Sequence, residues 1–236
     1  MTAMEPATLG LRRVKLLEGL TDEAIERVAR VCTWRRFEAG RAVINRNSES
    51  RDLCMVVAGQ VRVTVYTASG RQVHFRDLAQ GETVGAIAAV DGGPRSVDVM
   101  ALTEVVVATL APVELDALLR DNPLVAQRFT QHLVQLIRLL TETVIELSTL
   151  GVVNRIHADL LRAARDAGAP PVGSCVLSPS PRHADIAARV STTREQVTRE
   201  MSSLAKRGLL IKHPEGLLIS DMNALERMVE RASHDA

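Results

Sequence analysis

The stretch Gly85-Ala86-Ile87-Ala88-Ala89-Val90-Asp91-Gly92-Gly93-Pro94-Arg95-Ser96 decides how the rest of the chain is interpreted. A run of small residues leads from one glycine into a Gly-Gly-Pro turn, and an Arg-Ser pair follows it. Backbone N–H groups in a turn this rich in glycine can approach a bound anion closely. The planar guanidinium of Arg95 matches a phosphate group, and the Ser96 hydroxyl adds another hydrogen-bonding group. The stretch therefore predicts a phosphate-binding turn, and the elements around it favour this interpretation over an ordinary surface loop.

The composition of the 236-residue chain is that of an ordinary globular protein, with 46% hydrophobic and 24% charged residues. Its net charge of +1 means that any nucleic-acid surface must be local. Cys32, Cys54 and Cys175 lie far apart, which argues against a disulfide framework or a metal site and suits a reducing compartment. We find no apolar run of about 18 residues and no signal-peptide pattern, so we expect a cytoplasmic protein without a membrane segment.

Residues 32–110 have the pattern of an antiparallel β-roll. Short runs of strand-forming residues are separated by glycines, and four of these, at positions 59, 70, 81 and 92, lie eleven residues apart. This rhythm is typical of strands joined by turns. Before the roll, residues 9–31 are predicted to be helical, with Thr21 capping a helix start. Strands are expected at 60–66, 72–76 and 105–110, with a hairpin turn at 68–71 and His74 as a surface residue of a strand.

A long helix is predicted from Leu124 to Ser148, after a short helix at 113–120. Apolar residues along it repeat at spacings of four and three, as in a coiled coil. Phe129 and Leu136 lie off this seam and can pack on the roll. Because a seam and a second apolar face are more than one domain needs, we expect a homodimer along this helix, with burial inside its own domain as the alternative. The seam residues are Leu133, Ile137, Leu140, Val144 and Leu147.

The C-terminal part of the chain, after a hinge at Gly151, predicts a winged helix-turn-helix. A short helix over 182–190 and a tight turn at Ser191-Thr192 precede a second helix over 194–207, which Thr193 caps. Apolar residues of both helices have the spacing of an inner face, and a hairpin around 213–215 forms the wing. The second helix is therefore the candidate recognition helix.

Positive charge is concentrated in this part of the chain. Residues 182–213 contain seven basic and three acidic side chains, a local net charge of +4 that supplies the phosphate attraction of a DNA-binding surface. Arg194 and Arg199 lie near the start of the second helix, where arginines read guanine, and Glu195 can accept from a cytosine amino group. The alternative is a solvated charged face. With Thr193 and His183, these residues form the predicted DNA contact.

The β-roll with its Gly-Gly-Pro-Arg-Ser turn, the long helix and the winged helix-turn-helix, in this order, resemble the CRP/FNR family of transcription regulators from about Leu11 to Ile219. The resemblance implies that Arg95 and Ser96 bind the phosphate of cyclic AMP or cyclic GMP, and that Gly85 and Ala86 belong to the same ligand site. It also implies that Arg194, Glu195 and Arg199 read half-sites of the TGTGA type in double-stranded promoter DNA, and that RNA polymerase is a partner.

Two departures from the family pattern concern the ligand. Ala86 stands where cyclic-AMP receptors carry a glutamate that binds the ribose, and the loss of such a hydrogen bond costs about 1.5–3 kcal/mol. Leu140 and Thr141 match the family's base-contacting positions on the long helix, where Thr141 alone keeps a hydroxyl that adenine or guanine could use. We therefore keep open a regulator of the same fold that is effector-independent or senses a different ligand.

The predicted class is α+β, with a β-roll over 1–121, a dimerisation helix and hinge over 122–150, and a DNA-binding domain over 151–236. A third hypothesis is a nucleotide-binding module or an enzyme. We expect no enzyme, because the sequence shows no catalytic constellation and no metal-ligand spacing. The histidines His132, His157, His183 and His213 share no ligand spacing.

Overall fold

The computed structural model describes residues 8–67, 72–170 and 172–234. The chain divides into two compact units, Met1–Ile137 and Arg138–Ala236, and each is described by itself. The division falls inside the long helix, whereas the predicted domain boundaries lie on either side of that helix. Within the described ranges, no helix is both long enough and apolar enough to span a membrane.

The first unit begins with α1 (Thr8–Leu11), a 3₁₀ turn (Lys15–Leu17) and α2 (Asp22–Val31). The helical region predicted for residues 9–31 is therefore interrupted. Gly19 adopts a left-handed φ of +80°, a conformation that glycine tolerates and that ends helical structure at this point. Thr21 caps α2 as predicted, because its hydroxyl accepts a hydrogen bond from the Ala24 N–H at 3.3 Å.

Strands of the first unit form two four-stranded antiparallel sheets, which confirms the predicted roll. Tyr66 lies opposite Gln72 in the pairing of two consecutive strands, while the hairpin turn predicted at 68–71 lies outside the described residues. The strands are β1 (Thr33–Phe37), β2 (Ala42–Ile44), β3 (Leu53–Ala58), β4 (Gln60–Tyr66), β5 (Gln72–Ala79), β6 (Thr83–Val84), β7 (Asp98–Ala101) and β8 (Val105–Leu110). The sheet orders are β1-β8-β3-β6 and β2-β7-β4-β5.

Strand β3 is buried on both faces and separates the two cores of the first unit. Leu53, Met55 and Val57 pack in a cluster with the N-terminal helices. Cys54 and Val56 alternate with them and pack in the second cluster, which fills the space inside the roll. Side chains on a strand alternate between faces, so a strand covered on both sides needs an uninterrupted apolar run. The sequence Leu-Cys-Met-Val-Val meets that need.

Three helices interrupt or follow the strands of the roll. The helix α3 (Ala86–Asp91) lies between β6 and β7, and α4 (Pro112–Asp121) and α5 (Pro123–Thr149) come after β8. The run of small residues that precedes the predicted Gly-Gly-Pro turn forms the helix α3, which lies between the left-handed residues Gly85 and Gly92. Phe129 on α5 is buried in the first unit's core, as expected, and Leu133 is half-buried against the same cluster. The other predicted seam residues are exposed: Ile137 to 62%, Leu140 to 38%, Val144 to 61% and Leu147 to 44%.

The second unit is a winged helix-turn-helix, as predicted. Its inner face consists of Ile186, Val197 and Leu204, which are fully buried. Ser191 in the tight turn has a φ of 55°, the left-handed conformation that makes glycine the easier residue at such a position. The elements are α6 (Val152–Asp166), β9 (Cys175–Leu177), α7 (His183–Arg189), α8 (Arg194–Lys206), β10 (Leu210–His213), β11 (Gly216–Ile219) and α9 (Met222–His234), with the sheet order β10-β11-β9.

Candidate functional site: a buried arginine and an exposed recognition helix

Arg95 is the centre of the predicted phosphate-binding stretch, and it is only 3% exposed. Its Nη2 atom donates to the Ser50 hydroxyl at 3.0 Å and to the Asp52 carbonyl at 2.7 Å. Its Nη1 atom donates to the Gly85 carbonyl at 3.3 Å. The buried Nε–H has no partner among the residues that the structure describes. The side chain is thus held in place by neutral oxygens while one buried donor remains unused.

The charge on Arg95 is incompletely balanced by its surroundings. All three of its hydrogen-bond partners are neutral oxygen atoms. Burial raises the pKa of the adjacent Cys54 thiol to about 12, so this thiol is neutral at pH 7. Burial also lowers the pKa of Arg95 itself, more than the nearby Asp52 charge raises it. A buried cation in this situation is stabilised by an anion, and its unused Nε–H can donate to that anion.

Gly85 makes room for the Arg95 side chain. Its φ of +88° is left-handed, and a Cβ atom at this position would lie 2.2 Å from Arg95 Nη1. A methyl group there would also come within 3.1 Å of the Asp52 carbonyl. Any other residue would therefore be strained in its backbone and would displace the guanidinium. This fit explains why a glycine stands ten positions before the arginine.

The other predicted ligand residues lie in different surroundings. Ser96 is exposed beside Arg95. Ala86 is 4% exposed and its methyl group packs in the core with Leu53 and Met55, so a ligand role for Ala86 would have to use its backbone. Leu140 and Thr141 are exposed on α5 within the second unit, and their contact with a base remains a prediction.

The recognition helix α8 presents the predicted base-reading residues to solvent. Thr193 caps it by accepting from the Gln196 N–H at 3.3 Å, and Arg194, Glu195 and Arg199 are all exposed. The pKa of Glu195 is lowered by hydrogen bonds from its own backbone N–H and from Thr193, so the carboxylate stays ionised. Further along, a shallow groove is lined by Thr198, Arg199, Ser202, Ser203, Lys206 and Arg207.

His183 at the start of α7 contacts this helix. Its Nδ1 atom lies 2.9 Å from the Thr198 hydroxyl, and that hydroxyl in turn donates to the Arg194 carbonyl at 2.9 Å. Since the hydroxyl proton is already used, Nδ1 must carry the proton that joins His183 to Thr198. In this tautomer the Nε2 atom is the ring nitrogen that can accept a hydrogen bond at the predicted DNA surface.

Two buried polar pairs, which the sequence did not indicate, fix the helix-turn-helix from inside. His157 on α6 is 1% exposed, and its Nε2 atom lies 2.7 Å from the Glu200 carboxylate on the recognition helix. Asp159 is 2% exposed and accepts two hydrogen bonds of 2.7 Å from Arg189 on α7. Both pairs start from α6, so this helix sets the positions of α7 and α8.

The interpretation of His74 as a surface residue is wrong. The side chain is 5% exposed, and its Nε2 atom lies 2.9 Å from the Asp77 carboxylate, which also accepts two hydrogen bonds from Arg62. These contacts lower the pKa of Asp77. A bulge between the paired strands β4 and β5 puts His74 on the same side as Asp77, which alternation alone did not predict. Among the described residues, no three His, Cys, Asp or Glu side chains gather as a metal site.

Comparison with known protein families gives one match in each unit that contains a candidate site. Residues 34–122 match the cyclic nucleotide-binding domain, and residues 154–228 match the Crp-like helix-turn-helix domain. The chain belongs to the CRP/FNR family of transcription regulators. It is a DNA-binding regulator with a cyclic nucleotide-binding domain, and its relatives are regulators and not enzymes.

Relatives in this family are similar over nearly their whole length. A CRP-like cAMP-activated global transcriptional regulator of Mycobacterium tuberculosis is 23% identical over 217 residues, which are 92% of this chain and 97% of that one. The cyclic AMP receptor protein of Thermus thermophilus is 27% identical over 90% of this chain and 95% of that one. The solved structure of the global regulator CLP of Xanthomonas campestris, 22% identical, covers 85% of this chain and 99% of its own, with a TM-score of 0.71.

The substitution Gly85→Ala tests the fit between Gly85 and Arg95. We expect it to destabilise the first unit more than Gly92→Ala. Gly92 is the matched control because it also has a left-handed φ, while no atom of the described residues lies within 4 Å of the place that its Cβ would occupy. The backbone strain alone costs about 1–2 kcal/mol. Urea unfolding followed by the fluorescence of Trp34, the chain's one tryptophan and a core residue of this unit, measures the difference. Equal effects of both substitutions would contradict the close fit.

The pair His157–Glu200 predicts a pH-dependent stability of the second unit. Burial lowers the pKa of His157 more than the bond to Glu200 raises it, so the unfolded chain binds this proton more readily than the folded one. Stability is therefore complete above the unfolded pKa of about 6.5 and decreases as the pH falls through that value toward the lower folded pKa. We expect His157→Gln to reduce this dependence, measured as urea midpoints by circular dichroism. An identical change in the matched variant His213→Gln, on the wing, would show that His157 is not its source.

Proposed function

We propose that the chain is a homodimeric transcription regulator that binds cyclic AMP or cyclic GMP through Arg95 and then binds palindromic promoter DNA through α8. The observation that carries the proposal is the buried Arg95 guanidinium with neutral partners and an unused Nε–H. A cyclic phosphate is a monoanion that would accept from this group and balance its charge. Ser96, exposed beside it, would add a hydroxyl.

The cationic surface of α8 supports the DNA-binding part of this function. Arg194 and Arg199 are exposed at the start of the helix, where their guanidinium groups would each bind a guanine through O6 and N7. The groove that continues to Lys206 and Arg207 would follow the DNA backbone. Two such helices, related by the two-fold axis of a dimer, would read a palindrome with half-sites one helical turn apart. RNA polymerase is the partner expected of such a regulator, which would act in the cytoplasm.

The exposed seam on α5 supports the homodimer. Ile137, Leu140, Val144 and Leu147 follow one another at spacings of three and four, and each is at least 38% exposed. Apolar residues in this pattern form the contact of two coiled helices. A second copy of α5 would cover them, and Thr141 next to Leu140 would then lie at the edge of the dimer contact.

A second candidate keeps the DNA-binding role and replaces the effector. Ala86 is packed in the core, so no carboxylate is available at this position for a ribose hydroxyl. This favours either a regulator that needs no effector or one that takes a different anion. The similar regulator CLP is described as responsive to c-di-GMP, which makes this cyclic dinucleotide the third ligand to test.

Calorimetric titration with cyclic AMP, cyclic GMP and c-di-GMP tests the proposed effector. We expect one of the two mononucleotides to bind, and we expect Arg95→Ala to weaken that binding by at least about tenfold, because one charge-assisted hydrogen bond contributes about 1.5–3 kcal/mol. Arg36→Ala, a surface arginine paired with Glu104, is the matched control and should bind like the wild type.

In the same samples, the nucleotide should increase the affinity for a duplex with two TGTGA half-sites. Binding of c-di-GMP alone, or DNA binding that no nucleotide changes, would support the second candidate.

The seam predicts the oligomeric state of matched α5 variants. We expect Val144→Asp to convert the dimer into monomers, because a buried carboxylate without a partner is strongly unfavourable in such a contact. Ile145→Asp is the control: Ile145 is 55% exposed, similar to Val144, but lies outside the seam. Sedimentation velocity measures both variants. Dissociation by Ile145→Asp and not by Val144→Asp would place the contact on another face of α5.

A further inference from the structure

Besides the Arg95 site, the first unit contains a cavity with a volume of about 300 Å³, the second cavity. It does not include Arg95 or any of its hydrogen-bond partners. Its walls come from the 3₁₀ turn at Lys15–Leu17 and Glu18, from β5, from the turn into β6, and from the first half of α5. The volume is at the lower end of the range for small-molecule sites. The residues that matter for its chemistry are Lys15, Arg76, Glu82, Arg128, His132 and Gln135.

Arg76 is the unusual member of this set, because it is a charged residue on the inner face of a sheet. In the pairing of β4 with β5 it lies opposite Val63, and it shares its side of the strand with Leu78. Both of these neighbours are buried in the cluster inside the roll. The guanidinium is half-buried and makes no hydrogen bond or ion pair with any residue that the structure describes. Burial also lowers the pKa of Arg76 more than the nearby Glu82 raises it.

The neighbouring charged groups already have partners. One Glu82 oxygen accepts from the Ala79 N–H at 2.8 Å, and the other lies 3.8 Å from Lys15 Nζ. Arg128 donates to the Glu18 carbonyl. Burial, together with the charge of Arg76, lowers the pKa of His132, so its ring is neutral at pH 7 and has one N–H to donate. Among the described residues, Arg128 has only this neutral partner, whereas Arg76 has no hydrogen-bond partner, so Arg76 is the cation of this cavity whose donors are all available to an anion.

We propose that this cavity binds a small sugar phosphate, with the phosphate on Arg76 and the sugar hydroxyls on the surrounding polar groups. A guanidinium fork matches phosphate oxygens, and the neutral His132 ring supplies a further donor beside it. The Gln135 amide and the Glu82 carboxylate, both at the wall, can accept from hydroxyl groups, which inorganic phosphate does not offer in the same positions. Three cationic and two acidic side chains line the cavity, a balance that suits one phosphate attached to a neutral polyol.

Calorimetric titration of the full chain with glucose 6-phosphate and ribose 5-phosphate tests this assignment, with glucose and inorganic phosphate as ligand controls. We expect saturable binding of at least one sugar phosphate and at least about tenfold weaker binding in Arg76→Gln. His132→Gln changes the part of the wall that α5 contributes and should also weaken the binding, which keeps the test decisive if Arg76→Gln folds poorly. Arg120→Gln, a surface arginine paired with Asp116 outside this cavity, should bind like the wild type.

The variant Arg95→Ala separates this site from the proposed effector site. Binding of the sugar phosphate that survives Arg95→Ala, while binding of the cyclic nucleotide is lost, supports two separate sites. Sugar-phosphate binding that disappears with Arg95 would place the ligand at the effector site and overturn the proposal. The absence of binding by either sugar phosphate, or an equal affinity for inorganic phosphate, would overturn it as well.

Discussion

The buried guanidinium of Arg95, packed against a glycine that leaves no space for a side chain, joins the loops around the candidate phosphate site. Arg95 joins three segments that are far apart in sequence, because its donors reach Ser50 and Asp52 before β3 and Gly85 before α3. The position of α3 therefore depends on the same side chain that carries the charge. An anion bound to Arg95 would compete for or add to these hydrogen bonds, so binding and the geometry of this loop are linked.

The second unit uses buried polar pairs for a related purpose. An apolar core alone tolerates small sliding movements of helices, whereas a hydrogen bond at 2.7 Å between His157 and Glu200 defines one position of α8. The pair of Asp159 with Arg189 does the same for α7, and Arg155 donates to the Val190 carbonyl at the end of α7 at 3.0 Å. The three residues come from one helix, α6. Burying these pairs costs desolvation free energy, and their short hydrogen bonds define the positions of α7 and α8.

Elements with a regular spacing of apolar residues or a clear helix-capping residue could be predicted from the sequence. The prediction failed where a single backbone irregularity or a tertiary contact determines the position of a side chain. Thr193 and Thr21 are found at the helix starts where they were expected, because capping is a local interaction. His74 was placed on the wrong side, since one bulged residue in β5 reverses the alternation. Ser50 and Asp52, which bind Arg95, and Glu200, which binds His157, lie more than 40 positions away in sequence, and no local pattern marks them.

If the proposed dimer forms along α5, this helix is the element through which the proposed ligands would influence DNA binding. It is one continuous helix from Pro123 to Thr149, and it carries His132 and Gln135 at the second cavity as well as the exposed seam that begins at Ile137. A ligand changes an equilibrium between two arrangements only by the difference in its affinity for them. A ligand that contacts α5 in one arrangement of the proposed dimer and not in the other would have such a difference in affinity. Because the seam lies on the same helix, an effector at the Arg95 site and a sugar phosphate at the second cavity would act on a single equilibrium, and their effects on DNA affinity would be coupled and reciprocal.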